Sequence, residues 1–283
     1  MTFDAIHRCK PRSRIGQGLL QALTAAMLTL ALSSVAGPAL AVEAKDPWPE
    51  LARDIFNGRE LADGAGVIAI EMPYRAEDAS IVPVTLHTTL QPGDTRAVKA
   101  VTLVIDENPA PVAATFQTGP GVTMISTRVR VDSYTNVHAV AELSDGQLYA
   151  STVFVKASGG CSAPMVKSMD EALATLGQMK FRILPATPEA PNEALLMIRH
   201  PNNSGLQMDQ VTRLYTPARY IDKLAVYQGV DLVFSMAAGI SISEDPNFRF
   251  TFKPNGAKEF RVEAEDTAGK TFSGAWPATR DGA

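Results

Sequence analysis

The sequence predicts an all-β chain built as two antiparallel sandwiches. Apolar and β-branched residues alternate at period two over about seven short runs in each half. Gly, Pro, Asn and Asp clusters punctuate those runs at intervals of about eight to twelve residues, and the rhythm breaks only near the middle. Length agrees, since 283 residues correspond to about two domains at roughly 150 each. A hydrophobic fraction of 46% excludes an intrinsically disordered chain, and 20 Gly with 19 Pro show no collagen-like triplet.

In the first half, Pro47-Trp48-Pro49 opens a short helix in which Leu51, Ile55 and Phe56 recur at helical spacing until Asn57-Gly58 stops it. Strand patterning follows in Gly66 to Ile70, Ile81 to Leu86, Val98 to Ile105, Val112 to Phe116, Met124 to Val131, Val137 to Leu143 and Leu148 to Val155. Asp145-Gly146 between the last two runs is the clearest hairpin signal. Residues 157–178 are different. Ala157-Ser158-Gly159-Gly160-Cys161-Ser162-Ala163-Pro164 is small and unpatterned, and Ser168-Met169-Asp170-Glu171 reads as a capping box for one or two helical turns that Gly177 ends. A second strand series runs through Met179 to Leu184, Glu193 to Arg199, Tyr220 to Tyr227, Val230 to Met236, Asn247 to Phe252, Glu259 to Ala264 and Thr271 to Trp276. The expected organisation is a leader at 1–41, a sandwich at 42–156, an arm with linker helix at 157–178 and a second sandwich at 179–283.

The leader is expected from a basic stretch, His7 to Arg14, an apolar run from Leu19 to Val35, and the small-x-small triplet Ala39-Leu40-Ala41 behind Pro38. Export across the inner membrane to the periplasm is therefore expected. Removing 1–41 takes four bases and one acid, so the formal charge moves from −4 to −7. An acidic chain with no basic block argues against nucleic-acid partners. Cys9 leaves with the leader, and Cys161 is then the single cysteine of the exported chain. In an oxidising compartment a lone thiol is buried, paired with another molecule, or kept for its reactivity.

No built-in active site is legible. His87, His138 and His200 show no metal-ligand spacing, and each reads as a hydrogen-bonded strand or loop histidine. Asp106-Glu107 and Glu263-Glu265-Asp266 lie at strand ends, where solvated charge is expected. Walker, dinucleotide, nucleophile-elbow and zinc-protease motifs are absent from the sequence, and the reading needs no cofactor and no metal. Cys161 stands out because its sequence neighbours offer nothing large to pack on. Gly159 and Gly160 leave the arm flexible, Ser162 leaves the sulfur sterically bare, and Lys156 and Lys167 favour a thiolate. A thiol on such a tether suits covalent carriage into another protein's pocket, with a reach of roughly 16 Å at ~3.3 Å per residue.

In order along the chain, Ile81-Val82-Pro83-Val84-Thr85, Asp106-Glu107-Asn108-Pro109-Ala110-Pro111, Ser126-Thr127-Arg128-Val129-Arg130, Ala141-Glu142-Leu143-Ser144-Asp145-Gly146 and Gly159-Gly160-Cys161 resemble SoxY, the sulfur-carrying subunit of thiosulfate oxidation. His200-Pro201, Ser204-Gly205-Leu206, Pro217-Ala218-Arg219-Tyr220-Ile221 and Asn247-Phe248-Arg249-Phe250-Thr251-Phe252 resemble its partner SoxZ. The fused arrangement is similar to single-chain SoxYZ-like carriers associated with quinoprotein dehydrogenases. The resemblance implies two immunoglobulin-like sandwiches, a covalent carrier residue at Cys161, and an arm at Gly159, Gly160 and Ser162, with no catalytic residue of its own. Implied partners are a Sox-type cytochrome, sulfatase-like enzymes or a quinoprotein dehydrogenase system. The odd cysteine also permits a disulfide-linked homodimer through Cys161.

Unlike the Gly-Gly-Cys-Gly-Gly tail of SoxY, this arm runs on through Ser162-Ala163-Pro164 into the second half, and Pro164 stiffens it. The first expectation is a periplasmic carrier of a sulfur-containing intermediate on an exposed Cys161. The alternative is an adaptor that docks on a quinoprotein dehydrogenase or cytochrome with the cysteine unloaded.

Overall fold

The computed structural model describes residues 46–91, 93–165, 168–185, 191–209 and 212–279. The expected leader, together with Lys167, lies outside them.

Helix α1 (Trp48–Ile55) is followed by strands β1 (Leu61–Asp63), β2 (Ile68–Glu71), β3 (Val82–Thr88), β4 (Val98–Ile105), β5 (Val112–Thr118), β6 (Met124–Val129), β7 (Thr135–Leu143) and β8 (Leu148–Val155). Helix α2 (Met169–Ala174) leads into β9 (Met179–Ile183), β10 (Asn192–Ile198), β11 (Ile221–Gln228), β12 (Asp231–Ala238), β13 (Asn247–Phe252), β14 (Glu259–Asp266) and β15 (Thr271–Pro277). Every run read as a strand is one. Strand β1 was not expected, because three residues are too few to show a period; it pairs parallel to β8 from Leu61 to Asp63. The α2 capping box forms as read, with Glu171 N donating to Ser168 Oγ and Ser168 N to Glu171 Oε2.

The strands form two sheets, in the orders β1-β8-β7-β4-β5-β12-β11-β14-β15 and β2-β3-β6-β13-β10-β9. Both sheets run through the boundary between the halves. In the larger, β12 pairs antiparallel with β5 from Phe234↔Thr118 to Ala238↔Ala114. In the smaller, β13 pairs with β6 through Arg249↔Ser126 and Phe250↔Ile125. The two immunoglobulin-like sandwiches are therefore joined edge to edge, which satisfies the backbone groups of four strands that would otherwise be open edges.

One apolar core fills the space between the sheets along their whole length. Phe116 of the first half lies 6.4 Å, ring to ring, from Phe234 of the second, and Phe234 meets Phe250 edge-on at 4.9 Å. All three are fully buried. Each such ring contributes about 1.5–3 kcal/mol, so the seam is held by the core as well as by the ladders. On the outer face, Ala52 and Phe56 of the α1 segment cover Val140 and Leu148.

Candidate functional site

Strand β6 ends at Val129, and Arg130, Val131 and Asp132 continue its line against the incoming arm. Gly159 N donates to Asp132 O (2.7 Å) and Gly160 N to Val131 O (3.1 Å), so the arm is fastened as a turn against this segment. Cys161 N then donates to Asp132 Oδ1 at 3.2 Å. From the second half, the loop after β10 closes over it. Ser204 Oγ donates to Cys161 O at 2.5 Å, and Gln207 Nε2 to Ala163 O at 3.1 Å.

These contacts overturn the expectation of a bare, swinging thiol. Cys161 has 0% exposure and sits where the two halves meet. Its sequence neighbours offered nothing to pack on, but its neighbours in space are supplied by both sandwiches. Gly160 is buried too, and its glycine is steric: a Cβ there would stand 2.1 Å from Ala79 O and 2.6 Å from Val131 O. Gly159 sits at φ +77° with open space around it, so it makes a turn that an L side chain resists. Ser162 is exposed and donates to Gly159 O at 3.3 Å, closing that turn. Gly159, Gly160 and Ser162 thus form a pinned turn rather than a slack tether. In this conformation Cys161 also offers no surface to a second copy.

The expected lowering of the thiol pKa by lysines is reversed. Burial pushes the Cys161 thiol up to about 12, the Asp132 carboxylate adds to the rise, and Arg130 opposes it. The Lys156 ammonium instead lies over the Tyr74 ring at 4.8 Å. A neutral thiol is a poor nucleophile, so the seated sulfur is chemically quiet.

The seat has a polar floor that sequence reasoning missed. Arg130 is 2% exposed, and its Nη1 donates to Ile242 O at 2.7 Å across the seam. Asn108 Nδ2 donates to Arg130 O (2.8 Å) and Ser241 Oγ (2.9 Å), while Asn108 Oδ1 accepts from Asp132 N (2.8 Å). Asn202 Nδ2 donates to Ile242 O at 3.2 Å. Arg130, Asn108 and Ser204 stand inside the stretches that carry the family resemblance. Their type and spacing gave no hint of burial, since Arg130 continues the polar register of Ser126 and Arg128, and its side chain bonds to the β12–β13 loop, which is distant in sequence.

His138 and His200 are hydrogen-bonded as read. His138 bridges Thr152 Oγ1 (2.8 Å) and Asp106 Oδ2 (3.0 Å) and stacks on Trp48 at 3.6 Å. His200 Nδ1 accepts from Asn202 N, and its Nε2 faces Asp266 Oδ2 at 3.4 Å. His87 lies 3.5 Å from Glu71. Solvated charge is wrong for Asp106 and Asp266, which are both buried and paired. Among the described residues no group of three or more His, Cys, Asp or Glu is placed to hold a metal, and no helix is long and apolar enough to cross a membrane.

Residues 52–161 match the family described as sulfur oxidation protein SoxY, and residues 183–277 match that described as sulphur oxidation protein SoxZ. The chain belongs to the SoxYZ-like family. The SoxY match ends on Cys161 itself. Among solved structures, the sulfur carrier protein SoxY from Chlorobium limicola f thiosulfatophilum aligns at 23% identity, over 39% of this chain and 91% of its own, with a TM-score of 0.34. A superoxide reductase (neelaredoxin) from Ignicoccus hospitalis aligns at 12% identity, over 32% and 79%, with a TM-score of 0.28. No curated protein matches the chain. The SoxY and SoxZ domains place it in a sulfur-oxidation carrier family.

Proposed function

We propose that the chain is a periplasmic carrier that takes a sulfur-containing group covalently on Cys161, keeps the arm seated between encounters, and presents the loaded arm to partner redox enzymes when the seat opens. The observation that carries this reading is the seat. A cysteine kept only for packing sits among apolar side chains, whereas here Asp132 and Ser204 tie the main chain of Cys161, Gln207 ties that of Ala163, and the buried Arg130 lies within electrostatic reach of the thiol. Opening the seat breaks few bonds. Losing the three that tie Cys161 and Ala163 to Asp132, Ser204 and Gln207 costs roughly 1.5–4.5 kcal/mol, a minor but accessible population. Loading through that open state reconciles carriage with concealment. The partners are a Sox-type cytochrome, sulfatase-like enzymes or a quinoprotein dehydrogenase system.

The test is the intact mass of the exported protein before and after reduction. A carrier isolated from sulfur-oxidising cells shows a reducible mass increase that Cys161→Ser abolishes, on a chain that begins at Val42. A second reading has one observation in its favour, the complete burial of the thiol. In that reading the chain is an adaptor that docks on a dehydrogenase or cytochrome with Cys161 unloaded. An unchanged mass, together with a thiol that no alkylating reagent reaches in the folded state, selects the adaptor.

A further inference from the structure

The guanidinium of Arg130 is an unfinished interaction. It is almost fully buried, yet no carboxylate stands within ion-pair distance of it among the described residues, and its Nε has no hydrogen-bond partner. Only main-chain carbonyls receive it, Ile242 O at 2.7 Å and Ile240 O at 3.5 Å. A buried cation without an anion is costly, and an unmet N–H adds to that cost. A negative charge on Cys161 would act on it most strongly and Glu244 next, which places the sulfur within electrostatic reach of the guanidinium. The arm reaches it because Gly159 N and Gly160 N donate to Asp132 O and Val131 O, which holds the arm against the segment that carries Arg130.

We propose that Arg130 is the counter-ion of an anionic adduct on Cys161 and selects the loaded arm by its negative charge. The inference rests on the carrier reading and adds a specificity-determining residue to it. The empty thiol is neutral and leaves Arg130 unpaired. A sulfonate at the far end of a persulfide brings oxygen acceptors that match the guanidinium fork, and the pair forms charge-assisted hydrogen bonds. Asp132 explains why the bare thiolate is not the intended anion. Its carboxylate bonds to the arm at Cys161 N and repels charge placed on Sγ itself. An adduct two atoms longer moves the charge away from Asp132. A neutral adduct of similar length gains nothing from Arg130.

Two reagents separate charge from size on the full exported chain. Tetrathionate is attacked at an inner sulfur by the Cys161 thiolate; a new S–S bond forms, thiosulfate leaves with the electron pair, and Cys161–S–S–SO₃⁻ remains. Methyl methanethiosulfonate is attacked in the same way, methanesulfinate leaves, and the neutral Cys161–S–S–CH₃ remains. Removal of each adduct by dithiothreitol is timed and divided into the rate for the same adduct on a peptide of sequence 158–164. The expected protection of the sulfonate exceeds that of the methyl adduct by about tenfold in wild type. That excess disappears in Arg130→Gln and survives in part in Arg130→Lys. Equal protection of the two adducts in wild type overturns the inference, as does an excess that Arg130→Gln leaves intact. Should Arg130→Gln not fold, wild type decides alone: the sulfonate-loaded protein melts above the methyl-loaded one, and equal midpoints overturn the inference. A folded chain that neither reagent modifies sinks the carrier reading and the role of Arg130 together, whereas loading without charge preference sinks only the latter.

Discussion

Ser204 Oγ of the second half donates to the main-chain carbonyl of Cys161 at 2.5 Å, so the residue that closes the first domain is capped by a hydroxyl from the other. Ser204 is itself buried and fixed, since its N donates to Gln207 Oε1. Cys161, Ser204 and Gln207 thus form one clasp, and its strength sets how often the sulfur meets solvent.

Alkylation measures that clasp. Seated Cys161 is fully buried and its thiol is pushed up to about 12, so iodoacetamide at pH 8 meets it through the open state, roughly 10- to 1,000-fold more slowly than the same cysteine in an unfolded chain. Ser204→Ala removes one hydrogen bond to the arm and accelerates the reaction about fivefold, with little change in the far-UV circular dichroism. A rate equal to wild type contradicts the clasp.

The two glycines of the arm separate by substitution. Gly160→Ala drives a Cβ into Ala79 O, so the arm cannot seat, and Cys161 becomes reactive at nearly the unfolded rate. Gly159→Ala meets no atom and costs only the strain of its positive φ, about 1 kcal/mol. A thiol titration under native conditions reads the difference; equal reactivity in the two variants contradicts the steric account.

Alkaline pH tests the burial of the thiol. The folded pKa of Cys161 lies above the unfolded value, so its contribution is complete below pH 9 and is lost as pH rises toward about 12. Wild type therefore loses stability relative to Cys161→Ala across that window, by up to about 1.4 kcal/mol per pH unit. Parallel denaturation curves at pH 8 and pH 10.5 check this.

Acid tests the network beneath the second half. Burial lowers the pKa of His200, so the folded state keeps the ring neutral and stability falls as pH drops below about 6.5. Burial alone raises the pKa of Asp266, but the Lys270 N–H, Arg219 and His200 outweigh it and leave the carboxyl below its usual range. Its contribution is present above about pH 4 and disappears as pH falls through the lowered value. His200→Gln flattens the stability profile between pH 7 and 5, and Asp266→Asn costs about 3 kcal/mol at pH 7 by leaving Arg219 unpaired. Urea unfolding across pH distinguishes the two.

The strand pattern was readable because inward positions such as Val82, Val84 and Leu86 alternate with the outward-facing Pro83, Thr85 and His87, and the capping box at Ser168 and Glu171 is a purely local signal. Cys161 was readable as the residue of interest for the same local reason, a thiol alone among small residues. Its environment was not. Burial of the sulfur depends on Ser204, 43 positions away, and on a β12–β13 loop that bonds to Arg130, and neither leaves a periodic trace. Asp106 and Asp266 misled for the same reason: a carboxylate at a strand end looks solvated until the histidine that buries it, 32 or 66 residues away, is known.

The ladders β5·β12 and β6·β13 have a consequence for stoichiometry. A carrier assembled from two separate polypeptides loses its capping serine on dilution, and its empty thiol is then unprotected at low abundance. Here cap and cysteine are always present one to one, and the shielding of the sulfur is independent of how much protein the cell makes.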